Sequence, residues 1–213
     1  SNLDITSNTL LEVLQCDNNQ LTNLNTLNNT SLASISCSSN LFTHLDFSHL
    51  QLLNSIWFEN NPNLISANLK NNNLFWDNFG LSLSFDNNPN LEYICSDEED
   101  VSLIENILNY NTNTNNCHVN SYCSFNPGGT FYKIQGNEKF DIDSNGCDSN
   151  DIIYPNLKCT ITNGTSTGTF IANNSGSYTI PVQAGTHSII PIIENPSYFN
   201  ITPTTFNVNF PSA

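Results

Sequence analysis

The chain has 213 residues and a formal net charge of -15, with 19 acidic side chains against four lysines and no arginine. This charge disfavours contact with phosphate backbones, so we expect no nucleic-acid partner. No apolar run approaches the length of a membrane span, and we expect no membrane insertion. The composition leaves open cations, basic proteins and neutral glycans as ligands, and the length allows one large domain or two ordinary ones.

A repeated pattern of apolar residues occupies the first half of the chain. The segment that begins at Leu11 recurs from Leu32 and from Leu53, a step of 21 residues each time, and has the form LxxLx(C/F)xxN. A fixed step indicates units that stack on one another and bury a shared core. The pattern resembles the leucine-rich repeat, which implies a leucine-rich repeat solenoid over residues 1–120. Because the same step extends back to the first residues, we expect further domains of the same longer chain.

A short helix is predicted at the end of the repeats. Val101, Ile104 and Leu108 share one helical face, and four acidic residues from Asp97 onward occupy the first turn, where the helix dipole favours negative charge. A stack of repeats needs its open end covered, so we expect this helix to be the C-terminal cap of the solenoid. Residues 121–129, which are rich in Cys, Gly and Pro, are predicted to form a linker.

From Thr130 to Ala213 the apolar residues alternate with polar residues at a period of two. The clearest runs are centred on Cys159, Ile180 and Val208, and Gly, Asn and Pro separate them. About seven short strands with regular turn signals are typical of a β-sandwich. The expected fold class is therefore mixed, with a leucine-rich repeat solenoid and capping helix followed by an all-β immunoglobulin-like sandwich over residues 130–213.

An acidic loop lies near the start of the predicted sandwich. Alternating oxygen-bearing side chains followed by glycine are typical of a short loop that wraps a hard cation, and carboxylates this close together repel one another without one. We therefore predict calcium as a cofactor, and the alternative is a solvated acidic turn. The predicted metal ligands are Asp141, Asp143 and Asn145, with the Cys147 carbonyl and Asp148 or Asp151 completing the shell.

The sequence around this loop resembles known surface modules. Gly136, the acidic loop and the apolar strand that ends at Ile161 resemble the calcium-binding B-type repeats of bacterial surface adhesins. Residues 174–189 resemble the regulatory-like sandwich of carboxypeptidase-associated surface domains. The repeats, the Cys-rich join and the sandwich together resemble the ectodomain regions of type IX-secreted bacterial surface proteins. This resemblance implies an extracellular or outer cell-surface location and a binding role.

A second candidate site is the concave face of the repeats. Side chains next to each buried position face outward, which places Trp57 in one column with Gln15, Ser36 and Ser84. An outward tryptophan flanked by acids is typical of a recognition anchor, and the alternative is a tryptophan covered locally by residues 70–80. We predict that this face binds a protein or glycan through Trp57, Glu59, Asp86, Tyr93 and Asp17.

Seven cysteines in an acidic chain without arginine suggest an oxidising compartment. Cys16, Cys37 and Cys159 occupy apolar positions and are expected to stay free and buried. The predicted disulfides are Cys95–Cys117, from the last repeat strand to the end of the capping helix, and Cys123–Cys147, from the linker to the acidic loop.

The chain shows no set of nucleophile, base and orienting group, so we predict that it is not an enzyme. Residues 164–168 match the GxSxG pattern of a nucleophile elbow, but they lie in a β region rich in turn residues. We interpret the protein as a secreted or cell-surface binding or adhesion protein in which the sandwich is a calcium-stiffened stalk. Two alternatives are a purely structural spacer and an accessory region of a larger secreted enzyme.

Overall fold

The computed structural model describes residues 3–75, 82–110, 117–124 and 130–211. Of these residues, 32% lie in strands and 7% in a single helix, and the strands form several small sheets. The described residues divide into two compact units, one made of the residues up to Ser121 and one made of residues 122–124 and 130–211.

The first unit contains eight very short strands arranged in two parallel sheets. Their order is β1-β2-β4-β6 in one sheet and β3-β5-β7-β8 in the other. The strands are β1 Val13–Gln15, β2 Ser34–Ser36, β3 His44–Asp46, β4 Ser55–Trp57, β5 Ser66–Asn68, β6 Leu83–Ser84, β7 Tyr93–Cys95 and β8 His118–Asn120.

The 21-residue step of the sequence sets the register of the first sheet. Leu14 pairs with Ile35, and Ile35 pairs with Ile56, so equivalent residues of successive repeats lie side by side. These central residues point into the core and are at most 8% exposed. Because side chains alternate between the two faces of a strand, the residues on either side of them point outward.

Asparagines hold the turns that follow the strands of the first sheet. In each turn a residue with positive φ comes directly before an asparagine, as Ser39 does before Asn40. The side chain of Asn40 is 2% exposed. Its Oδ1 accepts a hydrogen bond from the Leu21 amide at 3.0 Å, and its Nδ2 donates to the Cys16 carbonyl at 2.9 Å. The abundant asparagine therefore satisfies backbone groups between neighbouring turns of the chain.

The prediction of a leucine-rich repeat solenoid with a capping helix is wrong. A leucine-rich repeat combines one strand with a helical segment on the opposite side, whereas the strands from β2 to β7 alternate between two parallel sheets. The second half of a repeat, such as residues 44–47, also alternates polar and apolar side chains, so it pairs as a strand. The helix α1, Glu98–Tyr110, is not a terminal cap, because β8 follows it and pairs with β7.

The helix occupies the predicted place, but two of the four acids at its start, Asp97 and Asp100, are buried. Asp97 is buried, and its Oδ2 accepts hydrogen bonds from the backbone amides of Asn71 and Asn72 at 3.0 and 2.9 Å. Asp100 is 1% exposed, and burial raises its pKa to about 6. Asp97 therefore accepts hydrogen bonds from backbone amides, as the buried asparagines do in the earlier turns.

The second unit consists of antiparallel strands. A four-stranded sheet has the order β13-β12-β15-β16, and β14-β9 and β10-β11 form two separate pairs. The strands are β9 Tyr132–Asn137, β10 Lys139–Phe140, β11 Ile152–Ile153, β12 Lys158–Thr162, β13 Thr167–Ile171, β14 Ser177–Val182, β15 Gly185–Ile192 and β16 Phe206–Phe210. These small sheets replace the immunoglobulin-like sandwich that the period-two pattern predicted.

Tyr122 belongs to the core of the second unit, although the sequence predicted a linker over residues 121–129. Its side chain is fully buried, and its hydroxyl lies 2.7 Å from Nδ1 of His187, which is also fully buried. The other ring nitrogen of His187 lies 2.8 Å from the Gln183 carbonyl oxygen. Since a carbonyl can only accept, Nε2 carries the proton and Nδ1 accepts from the tyrosine.

Candidate functional site

The acidic loop connects β10 and β11 and brings three carboxylates together. Oxygen atoms of Asp141, Asp143 and Asp151 all lie within 4.8 Å of one another. Asp151 is 7% exposed, whereas Asp143 is on the surface. Three of the six predicted ligands therefore form a compact group of hard oxygen donors.

Backbone amides of the loop hold these carboxylates in place. Asp141 accepts hydrogen bonds from the amides of Asn145 and Gly146 at 3.2 and 3.0 Å. Gly146 has a φ of 100°, a conformation that favours glycine and turns its amide toward the carboxylate. The loop sequence thus folds around its own first aspartate.

Asp151 is fixed in the same way at the other end of the loop. Its two carboxylate oxygens accept from the amides of Ile142 and Asp148 at 3.2 and 2.7 Å. A carboxylate oxygen has two acceptor positions, so each keeps one for a cation. The three side chains could hold a hard cation, and calcium would need further oxygen ligands from carbonyls or water to reach six to eight.

Among the other predicted ligands, the side-chain amide of Asn145 donates to Asp143 at 2.8 Å. The Asp148 carboxylate is not part of the group, and its Oδ1 accepts from the Asn150 backbone amide at 2.6 Å. Cys147 is exposed with a free thiol. The chemistry of the loop therefore centres on Asp141, Asp143 and Asp151.

Calcium is expected to stabilise the second unit through this loop. Binding to the folded state adds about 2.7 kcal/mol at a calcium concentration one hundred times the dissociation constant. Calorimetry of the whole chain should show the transition of the second unit shifting upward with calcium, and Asp143→Ala should abolish the shift. Asp46→Ala, which removes an exposed aspartate of the first unit, is the matched control. Identical scans of the wild-type protein in calcium and in chelator would favour the solvated turn.

The predicted column around Trp57 is present in the first sheet. Strand pairing places Gln15 beside Ser36, Ser36 beside Trp57, and Trp57 beside Ser84. Trp57 is half-buried and its neighbours in the column are small or exposed. We call the outward side of sheet β1-β2-β4-β6 the Trp57 face; it comprises this column and the neighbouring row Asp17, Ser38, Glu59 and Asp86.

Two acids of the Trp57 face are held by hydrogen bonds from serines. Asp17 accepts from the Ser36 hydroxyl at 2.7 Å and from the Ser38 amide at 2.8 Å. The Ser38 hydroxyl donates to the Glu59 carboxylate. Asp86 lies in the next turn and is exposed. These contacts order a row of negative charge next to the tryptophan.

Tyr93 does not belong to the Trp57 face. It lies in β7, in the other sheet of the first unit, and is 3% exposed. Its hydroxyl donates to Asn120 Oδ1 at 3.0 Å, so it ties β7 to β8. Trp57 follows a buried isoleucine and Tyr93 precedes one, so the sequence pattern predicted that both point outward. That pattern does not show which sheet a strand joins.

The disulfide framework also differs from the prediction. Cys95 is bonded to Cys123, while Cys117 and Cys147 are free. Cys95 pairs with Asn120, and the extended strand β8 places Cys117 roughly 10 Å along from that pair at the usual rise, which exceeds the span of a disulfide. Cys123 lies beyond the end of β8, where the chain bends. Once Cys123 is bonded to Cys95, it cannot bond to Cys147.

The three cysteines expected to stay free and buried do so. Cys16, Cys37 and Cys159 have free thiols and are at most 6% exposed. Burial raises the pKa of the Cys16 thiol to about 11, with a smaller contribution from the charge of Asp17. These thiols are therefore protonated at neutral pH and act as small apolar core residues.

A cavity of about 810 Å³ in the second unit was not anticipated from the sequence. Three aromatic residues, Tyr154, Tyr178 and Phe199, line it together with Glu138. The one local signal was Gly136, which pairs with Tyr178 across β9 and β14. A Cβ at position 136 would overlap the Tyr178 ring, so the glycine lets that ring lie across the strand.

Among the described residues, the single helix is too short and too polar to cross a membrane. The candidate functional sites in the described part of the chain are the acidic loop, the Trp57 face and the cavity. Comparisons with known protein families, with curated proteins and with solved structures find no match for this chain.

Proposed function

We propose that this chain is a non-catalytic binding protein of the cell exterior, and that its Trp57 face binds a positively charged surface of a partner protein. The observation that carries the proposal is the register that places Trp57 beside Ser36, whose hydroxyl donates to the Asp17 carboxylate, while Ser38 in the neighbouring row donates to Glu59. A tryptophan attracts cations through its ring face, and neighbouring carboxylates pair with Lys or Arg.

The charge of the whole chain supports a basic partner. A net charge of -15 accelerates encounter with a positive surface and opposes binding to anionic ones. The disulfide Cys95–Cys123 supports the extracellular location, because such bonds persist in oxidising compartments. In this proposal the second unit serves as a stalk that calcium stiffens at the acidic loop.

The geometry of the GxSxG segment supports a non-catalytic role. Residues 164–168 connect β12 to β13 and extend into β13, in an antiparallel hairpin. A nucleophile elbow instead requires a sharp turn from a strand into a helix. Ser166 offers its backbone carbonyl to the Thr162 hydroxyl at 2.9 Å, a contact typical of a structural turn.

Trp57→Ala is expected to weaken partner binding at least tenfold, because a central tryptophan anchor contributes about 2 kcal/mol or more. Binding would be measured on arrays of lysine-rich peptides, neutral peptides and neutral glycans with the whole chain. The matched control is Tyr110→Ala, which removes an aromatic residue that is 89% exposed on α1.

The array separates the proposal from its rivals. The proposal is supported if Trp57→Ala loses binding to lysine-rich peptides while the control variant keeps it. Binding to glycans alone would show that the face recognises a glycan instead of a basic protein. Absence of binding to every peptide and glycan on the array would favour the interpretation of the chain as a purely structural spacer. Unchanged binding together with a large loss of thermal stability would show that Trp57 is a core residue.

A further inference from the structure

We propose that the cavity of the second unit, which we call the aromatic cavity, binds an organic ammonium group between its aromatic rings and the Glu138 carboxylate. The site is separate from the Trp57 face and does not depend on the function proposed above. Its lining residues come from β9, β10, β14 and β15, from the acidic loop, from the loop before β12 and from the segment between β15 and β16.

The rings of the aromatic cavity stand at steep angles to one another. Phe199 lies 6.1 Å from Phe140 between ring centroids with an interplanar angle of 80°, and 6.5 Å from Tyr154 at 60°. Phe140 and Phe199 are each 38% exposed, which leaves ring surface open to a ligand. Rings at such angles can present several negative faces to one cation.

Glu138 places a partly desolvated negative charge in the same cavity. Its side chain is half-buried, burial raises its pKa, and no described residue donates a hydrogen bond to its carboxylate. Burial and, to a lesser extent, the charge of Glu138 raise the pKa of Tyr178 to about 12. Glu138 and Tyr178 both line the cavity, where a cation would compensate the lost hydration of the carboxylate.

The chemistry of the lining selects among ligand classes. A volume of about 810 Å³ is far larger than a metal ion and suits an organic molecule. A neutral apolar ligand would bury the carboxylate without a partner, which is costly, and an anion would be repelled by Glu138 and Asp141. Lys139 also lines the cavity, but its ammonium donates to the Asp148 carbonyl. A cation with an apolar body satisfies both the rings and the carboxylate.

The test is calorimetric titration of the whole chain with choline in a buffer that contains chelator, so that the acidic loop holds no calcium. The neutral probe is 3,3-dimethylbutan-1-ol, which has the shape of choline without its charge. We expect choline to bind at millimolar concentration and the alcohol to bind at least tenfold more weakly. Butylammonium in a parallel titration distinguishes a lysine-like amine from a quaternary ammonium, and either cation supports the proposal.

Three variants locate the binding. Glu138→Gln keeps the shape of the side chain and should weaken choline binding at least tenfold, and Phe199→Leu keeps apolar volume but should weaken it several-fold. Glu194→Gln, which alters an exposed glutamate outside the cavity, should leave it unchanged. Equal binding of choline and the alcohol, unchanged affinity in Glu138→Gln, or no binding of either cation would overturn the proposal.

Discussion

Asn40→Ala is expected to lower the free energy of unfolding of the first unit by about 2–3 kcal/mol. The substitution removes the acceptor of the buried Leu21 amide and the donor that reaches the Cys16 and Cys37 carbonyls. Because the site is 2% exposed, water cannot replace these partners without opening the turn. Urea unfolding followed by tryptophan fluorescence measures the effect, since Trp57 lies in β4 of the first unit.

The matched control is Asn19→Ala, one repeat earlier. Asn19 donates to the Cys16 and Asp17 carbonyls at 3.1 and 3.0 Å, but its side chain is exposed. Water can replace an exposed donor, so we expect a loss below about 1 kcal/mol. Equal losses in the two variants would mean that burial of the Asn40 amide does not hold the turns together.

Cys123→Ala is expected to lower the free energy of unfolding by about 3–4 kcal/mol. The bond to Cys95 closes a loop of roughly 30 residues, and opening it restores conformational freedom to the unfolded chain. Thermal unfolding of the oxidised variant should begin at a lower temperature than that of the wild type. Reducing the wild-type protein should produce a similar shift, because it breaks the same bond.

Cys147→Ala provides the control, because this thiol is exposed and free. It should leave the unfolding temperature unchanged. Peptide mapping without reduction should recover Cys95 linked to Cys123. Recovery of Cys95 linked to Cys117 would contradict the register of β7 and β8, and a destabilised Cys147→Ala would point to a bond at the acidic loop.

Local periodicity predicted the parts of the fold that depend on residues close to one another in the sequence. The 21-residue step predicted which side chains of the first sheet point inward, and Ile35 and Ile56 are indeed buried side by side. A helix lies where Val101 and Ile104 share a face. The acidic loop brings Asp141 and Asp143 together because they are close in sequence and bond amides of the same turn.

Other features depend on contacts that periodicity does not encode. A strand pattern states which face is apolar, but it does not state which strand lies alongside, so the second parallel sheet and the burial of Tyr93 were missed. The partner of Cys95 depends on the register of β7 and β8, which are separated by a helix in the sequence, and on the bend of the chain after β8. Sequence spacing alone cannot supply that register.

By itself, the sequence determined the repeat step, the inward faces of its strands, the buried free cysteines and the acidic character of the loop. These follow from side-chain alternation and from charge, which act over a few residues. Only the tertiary structure decided the two-sheet arrangement, the Cys95–Cys123 bond and the aromatic cavity. The cavity joins Glu138, Tyr178 and Phe199, which are distant in the chain and meet because antiparallel pairing and core packing bring their segments together.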